Sequence, residues 1–257
     1  MVLSPSELKD FLDYKASQYN QPDFIEEDPI AIPHLFTHIP DQEVAGFLTA
    51  TIAWGKRKSI ILNANKLMQQ MGNSPFDFVM QASHSQIMNL NFVHRTFNKE
   101  DLRVFVYALR RIYSLYGGML PVFVQNAQPH SLQMAISEFR KEFFSLNPES
   151  RSLKHISDPL KGSAAKRINM MLRWFVRKDN KGVDLGIWNH ALSPAQLSIP
   201  LDIHSGNMAR KLGLLFRKSN DAKAVHELDV RLRSFNPSDP VLYDFALFGL
   251  GVNHELF

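Results

Sequence analysis

An all-α fold is predicted for this 257-residue chain by three features of its sequence. Apolar residues recur at three- and four-residue spacing nearly throughout. No stretch alternates with the two-residue period of a half-buried strand. The periodic segments are short and joined by Gly- and Pro-containing turns, which points to a compact globule rather than a solenoid. Hydrophobic residues make up 45% of the chain, ample for a core, and no internal repeat or low-complexity tract is present.

The first helix is set by Ser4-Pro5-Ser6-Glu7, a start signal leading into Leu8, Phe11, Leu12 and Tyr14. Residues 22–40 are rich in Pro and acidic residues and read as an extended connection. Asp41-Gln42-Glu43 opens an apolar helix through Trp54, and a second runs from Lys58 to Gln70 before Gly72 and Pro75. A short helix is expected over 75–82. Asn98 caps another through Leu102, Phe105, Leu109, Ile112 and Tyr116, which Gly117-Gly118 ends. Helices are expected at 119–126, 131–144, 163–178, 194–198, 203–216, 221–234 and 239–247, with a loop from 148 to 159.

Composition narrows the function classes. Cys is absent, which excludes disulfides, a thiolate nucleophile and a Cys-ligated metal or cluster. No run of about 18 apolar residues exists. The opening Met1 to Glu7 has no basic region followed by an apolar one, so no secretory signal and a cytoplasmic location are expected. The net charge is only +4, yet residues 151–217 hold 12 Lys and Arg against 4 Asp and Glu, a local net of +8. That asymmetry suits a polyanionic partner, with a solvated basic face as the plain alternative.

Two residues in the basic segment carry candidate chemistry. Lys166 follows Lys161-Gly162-Ser163-Ala164-Ala165 at the start of a helix, whose apolar positions 168, 171, 172, 175 and 176 form one stripe. Lys166, Arg173 and Arg177, with Trp174 nearby, share another sector. Gly162 suits a sharp turn with exposed backbone amides. A partly desolvated lysine beside Arg167 and Arg173 would have the lowered pKa that nucleophilic attack requires. Asp202, in Pro200-Leu201-Asp202-Ile203-His204, is placed as the N-cap of the next helix. Each residue also has an ordinary role, Lys166 as a first-turn cation and Asp202 as a cap.

Gly162 to Arg173 resembles the hairpin-plus-lysine segment of the helix-hairpin-helix DNA glycosylases of the 8-oxoguanine type, with one glycine where that family has two. Leu201-Asp202-Ile203-His204, followed by Arg210 and Leu212-Gly213, resembles the family's Asp-bearing helix start. Gly46 to Gly55 is similar to its pocket-lining helix, with Trp54-Gly55 near the place of a Gln. At closer range the chain resembles an uncharacterised bacterial family defined only as a domain of unknown function. The segments that carry this are Trp54-Gly55-Lys56-Arg57-Lys58, His94-Arg95-Thr96-Phe97, Lys166 to Trp174 and Pro200 to His204.

The glycosylase resemblance implies a two-lobed helical fold, with one lobe over 41–159 and the other over 1–40 plus 160–257. It implies base-excision repair of damaged duplex DNA, without a cofactor. Lys166 would form a Schiff base at the sugar, with Lys161 as a rival amine and Asp202 as partner. Lys56, Arg57, Lys161, Gly162, Ser163, Arg167, Arg173 and Arg177 would meet the DNA backbone. Trp54, Trp174 and His204 would line a base pocket. A non-catalytic nucleic-acid binder and a helical protein-interaction module are the alternatives. His34, His38 and His204 show no ligand spacing, so no metal is expected. The sequence does not fix the lesion, the choice of DNA or RNA, or the oligomeric state.

Overall fold

The computed structural model describes residues 4–253. Among them no strand forms, and the extended pairing consists of isolated bridges such as Ser163 with Asp221. The helices are α1 (Pro5–Tyr19), α2 (Ala31–His34), α3 (Ile39–Ile52), α4 (Arg57–Gln70), α5 (Pro75–Gln81), α6 (His84–Met88) and α7 (Lys99–Tyr116). They continue with α8 (Met119–Gln125), α9 (Gln133–Phe143), α10 (Lys166–Val176), α11 (Ile203–Lys211), α12 (Ala222–Phe235) and α13 (Tyr243–Val252).

The chain divides into two units. The described residues of unit 1 lie within 4–24, 128–133 and 158–253, and unit 2 spans 25–127 and 134–157. Residues 25–40 thus fall with 41–127 rather than with the lobe expected to hold them. Residues 128–133 fall with the segment after 158.

Unit 2 is built around α3, buried on every side from Glu43 to Ile52. A helix apolar all round belongs at the centre of its unit. Phe47 on α3 stacks on Phe105 of α7 at 5.7 Å and meets Phe139 of α9 edge-on at 5.7 Å. Fully burying one such ring contributes about 1.5–3 kcal/mol. Asn98 caps α7 by accepting from the amides of Glu100 and Asp101, while Asp101 accepts from the Asn98 amide. Gly117, left-handed at φ 75°, stops that helix.

Unit 1 centres on α13, which packs against α1 and α11. Leu12 and Ala16 of α1 share a core with Met208, Ala209, Leu228, Leu232, Ala246, Leu247 and Leu250. At Gly249 an added Cβ would overlap the Tyr19 ring, so this helix crossing requires the missing side chain.

Several expected helices are single 3₁₀ turns, namely Arg151–His155, Pro194–Gln196 and Pro240–Leu242. The expected extended connection contains α2, and α6 forms on a Ser83–Gln86 capping box. Helix α11 ends at Lys211 because left-handed Gly213 (φ 69°) turns the chain and lets Leu214 donate to the Ala209 carbonyl at 2.8 Å. Helix α10 begins at Lys166, three residues late, because Ala165 is left-handed at φ 47°. No described helix is long and apolar enough to cross a membrane.

Candidate functional site

The turn before α10 is built from its own hydrogen bonds. A 3₁₀ turn at Pro159–Lys161 is capped by Asp158, and Gly162 follows at φ 90°. The Gly162 amide donates to the Pro159 carbonyl at 3.0 Å, and the Ser163 amide to the Asp158 carbonyl at 3.3 Å. The Ala165 amide donates to Ser163 Oγ at 3.1 Å. These amides were expected to meet a phosphate; the turn itself uses them instead. Lys161 and Gly162 are exposed, and Ser163 is half-buried. Asn169 locks the base of the turn, donating to the Ala164 carbonyl and accepting from Gln133 Nε2, both at 3.1 Å.

One segment links this turn to the Asp202 helix. The Ala222 amide donates to the Gly162 carbonyl at 3.0 Å, while Asn220 Nδ2 donates to the Asp202 carbonyl at 2.8 Å. Asp202 is the N-cap of α11, as its sequence predicts. Its Oδ1 accepts the Ser205 amide at 3.0 Å and the Ser205 hydroxyl at 3.2 Å. Lys166 is the first residue of α10 and is half-buried. His204 is exposed, edge-on to Phe248 at 6.3 Å.

Lys166 and Asp202 both act on one buried carboxyl, Asp244, at the start of α13. Burial pushes Asp244 up to about 6; Arg173 and Lys166 pull it down, and Asp202 pushes it further up. Arg173 Nη1 donates to Asp244, and the Arg173 guanidinium lies 4.5 Å from the Phe245 ring centre.

Arg173 and Arg177 depart from expectation. They are 4% and 2% exposed and meet carboxylates, not solvent. Arg173 Nε donates to Asp184 at 3.2 Å, and Arg177 Nη1 donates to the other Asp184 oxygen at 3.1 Å. Arg177 also reaches Asp179 and Asp239, each at 2.8 Å. The cause is the segment after α10, which folds back over that helix. Leu185 and Gly186 donate to the Trp174 carbonyl at 2.8 and 3.1 Å, and Trp188 donates to the Phe175 carbonyl at 2.7 Å. These bonds satisfy carbonyls that a helix end leaves open, and they deliver Asp184. Trp174 is 0% exposed, a core side chain and not the wall of an open base pocket. Arg167 is half-buried, and burial pulls its guanidinium down to about 10.

The remaining candidates lie in unit 2. Trp54 is half-buried, stacked on His155 at 5.9 Å and edge-on to His94 at 5.4 Å. His94 Nε2 is 3.2 Å from the Trp54 carbonyl oxygen. His155 Nε2 lies 3.3 Å from buried Asp101, which also accepts from Ser152 Oγ at 2.8 Å. Lys56 is exposed, and half-buried Arg57 points a guanidinium nitrogen at the Glu27 carbonyl, 3.5 Å away. No group of three or more His, Asp or Glu able to hold a metal occurs among the described residues.

Comparison with protein families places these segments together, since the family described as Protein of unknown function (DUF2400) matches residues 28–253. The chain belongs to that family. The match includes every candidate residue above, from Trp54 to His204, and Asp244 as well. No curated protein and no solved structure matches the chain.

The DUF2400 site contains residues that the sequence reading passed over. Asp244 stands in Val241-Leu242-Tyr243-Asp244-Phe245-Ala246-Leu247, an ionisable residue inside an otherwise apolar run. A buried carboxylate needs a partner, so that isolation was a readable signal. Asp184 and Asn220 carry no such signal, because their partners come from distant stretches of chain.

Proposed function

We propose that the chain is a DNA base-excision glycosylase with abasic-site lyase activity, using Lys166 as the amine and Asp202 as its carboxylate partner. The observation that carries this reading is the shared electrostatic environment of the two residues at Asp244. The Gly162–Ala222 and Asn220–Asp202 hydrogen bonds support it by tying both helix starts to one segment. The resemblance of both segments to the helix-hairpin-helix glycosylases supports the same chemistry.

In this reading Lys166 Nζ attacks the sugar C1′ and the bond to the damaged base breaks, the base leaving with its electron pair and a proton. The amine becomes an imine on the opened sugar. Loss of a C2′ proton then expels the 3′ phosphate. Asp202 stabilises positive charge at the sugar and accepts a proton. Asp244 and Arg173 position this pair from behind.

Borohydride trapping on duplexes carrying an abasic site or 8-oxoguanine tests the proposal. A covalent adduct with the parent protein, lost in Lys166→Gln and kept in Lys161→Gln, is expected. No adduct under conditions that trap an established lyase refutes it. Loss in Lys161→Gln alone moves the nucleophile to that residue.

A second reading, a nucleic-acid binder without catalysis, is favoured by the engaged turn amides and by the burial of Trp174. It predicts salt-dependent duplex binding that Lys166→Gln leaves unchanged, with no strand cleavage.

A further inference from the structure

Unit 2 carries a cationic surface that lacks the usual neutralising carboxylates. Elsewhere the chain pairs exposed cations locally, Lys9 with Asp13, Lys141 with Glu138 and Arg217 with Asp221. From Val44 to Lys99 the sequence holds six cations, Lys56, Arg57, Lys58, Lys66, Arg95 and Lys99, and a single acid, Asp77. Four of these cations meet at one place. Lys56, Arg57 and Lys58 are consecutive at the start of α4, whose first turn has no acidic residue. Arg95 arrives from the His94–Phe97 turn, with its guanidinium against Gly55, whose added Cβ would lie 2.8 Å from Arg95 Nη1.

The surface is braced from below. Gly55 is left-handed at φ 107°, and Trp54 beside it is held by His94 and His155. Arg151, nearby at the Thr96 carbonyl, is committed to Glu100 and Asp101 and adds no open charge. Lys56, Lys58 and Arg95 are exposed. Arg95 itself sits at φ 55°, where a residue with a side chain is disfavoured and glycine is not. Crowded like charges repel, so the patch costs free energy in the isolated protein. A polyanion bound there offsets that cost by releasing its condensed counterions.

We infer that the Lys56, Arg57, Lys58 and Arg95 surface of unit 2 docks a nucleic-acid phosphodiester backbone. The inference rests on the nucleic-acid reading of the chain, though not on the chemistry of Lys166. The docked partner is a polynucleotide and not a small anion, because four cations spread over two turns match successive phosphates of a strand.

Titration of a short undamaged duplex by fluorescence anisotropy over a range of salt tests this without any catalytic step. Each phosphate contact contributes a slope of about 0.9 to the fall of log affinity with log salt. Lys56→Gln with Lys58→Gln is expected to reduce the slope by about 2, and Arg95→Gly by about 1. Arg95→Gly removes the guanidinium while relieving the left-handed backbone, so its melting temperature stays level or rises as affinity falls. Duplex binding whose slope none of these variants alters overturns the surface while leaving the Lys166 trapping assay to stand or fall alone. Displacement of the duplex by inorganic phosphate at constant ionic strength assigns a small-anion site and overturns the polynucleotide. Absence of duplex binding at low salt overturns both this surface and the nucleic-acid reading.

Discussion

Asp184→Ala is expected to destabilise unit 1 more than any exposed substitution. Its carboxylate is 0% exposed and accepts from Arg173 at 3.2 Å and from Arg177 at 3.1 Å. Hydrogen bonds to charged groups contribute about 1.5–3 kcal/mol each, giving about 3–6 kcal/mol for two. Breaking a buried ion pair by removing one partner costs about 3–5 kcal/mol. Asp244 still faces Arg173, and Asp179 and Asp239 still face Arg177. Those remaining partners place the loss near the lower end, about 3 kcal/mol. Asp184→Asn keeps the shape and one acceptor, so its loss should be smaller. Urea unfolding followed by tryptophan fluorescence reads the difference, because Trp174 and Trp188 are both buried in unit 1. With a slope of about 1–3 kcal/mol per molar urea, the midpoint should fall by about 1–3 M. A midpoint within experimental scatter of the parent would refute the account of Arg173 and Arg177 as a buried, carboxylate-dependent pair.

The pH response of the same midpoint is also fixed in sign. Burial raises Asp244 and Asp229 from 3.8 to about 6, so between those values the folded chain binds more protons than the unfolded one. Stability from these groups is therefore full below pH 4 and falls as pH rises through about 6, by roughly 3 kcal/mol for each such shift. Asp244→Asn should flatten part of that slope in urea titrations at successive pH values, and an unchanged slope would count against the buried, ionisable carboxyl. Gly249→Ala should lower the melting temperature, since the new methyl overlaps the Tyr19 ring and overpacking costs about 1–3 kcal/mol; a calorimetric melt matching the parent would refute the close crossing of α1 and α13.

The helices were legible where local chemistry decides them. Ser4, Asn98 and Asp202 cap the helices their side chains predict, and Gly117 ends α7 where a left-handed residue was expected. Single turns were not separable from short helices, because Pro194 and Pro240 open a 3₁₀ turn as readily as an α-helix. The start of α10 was misplaced because nothing in an Ala-Ala pair announces that the second is left-handed. At the site, Lys166 and Asp202 could be selected from their neighbours in sequence. Arg173 and Arg177 read as a solvent-facing basic sector because their carboxylates lie elsewhere, Asp244 being 71 residues from Arg173 and Asp239 62 residues from Arg177. Such partners leave no periodic trace, since periodicity reports only the face of a helix and not what covers it.

The packing of α1 on α13 sets an order of events during synthesis. Tyr19 and Tyr243 are 224 positions apart, and unit 2 lies almost wholly between them. At about 5–20 residues per second, a ribosome needs roughly 11–45 s to make the intervening chain. Leu12 and Ala16 therefore emerge long before their core partners Ala246, Leu247 and Leu250 exist. Unit 2, nearly continuous in sequence, can complete its own core in that interval. Unit 1 closes last, so the nascent protein carries an unmated amphipathic helix for most of its translation, and a holdase that binds such helices has its longest opportunity there.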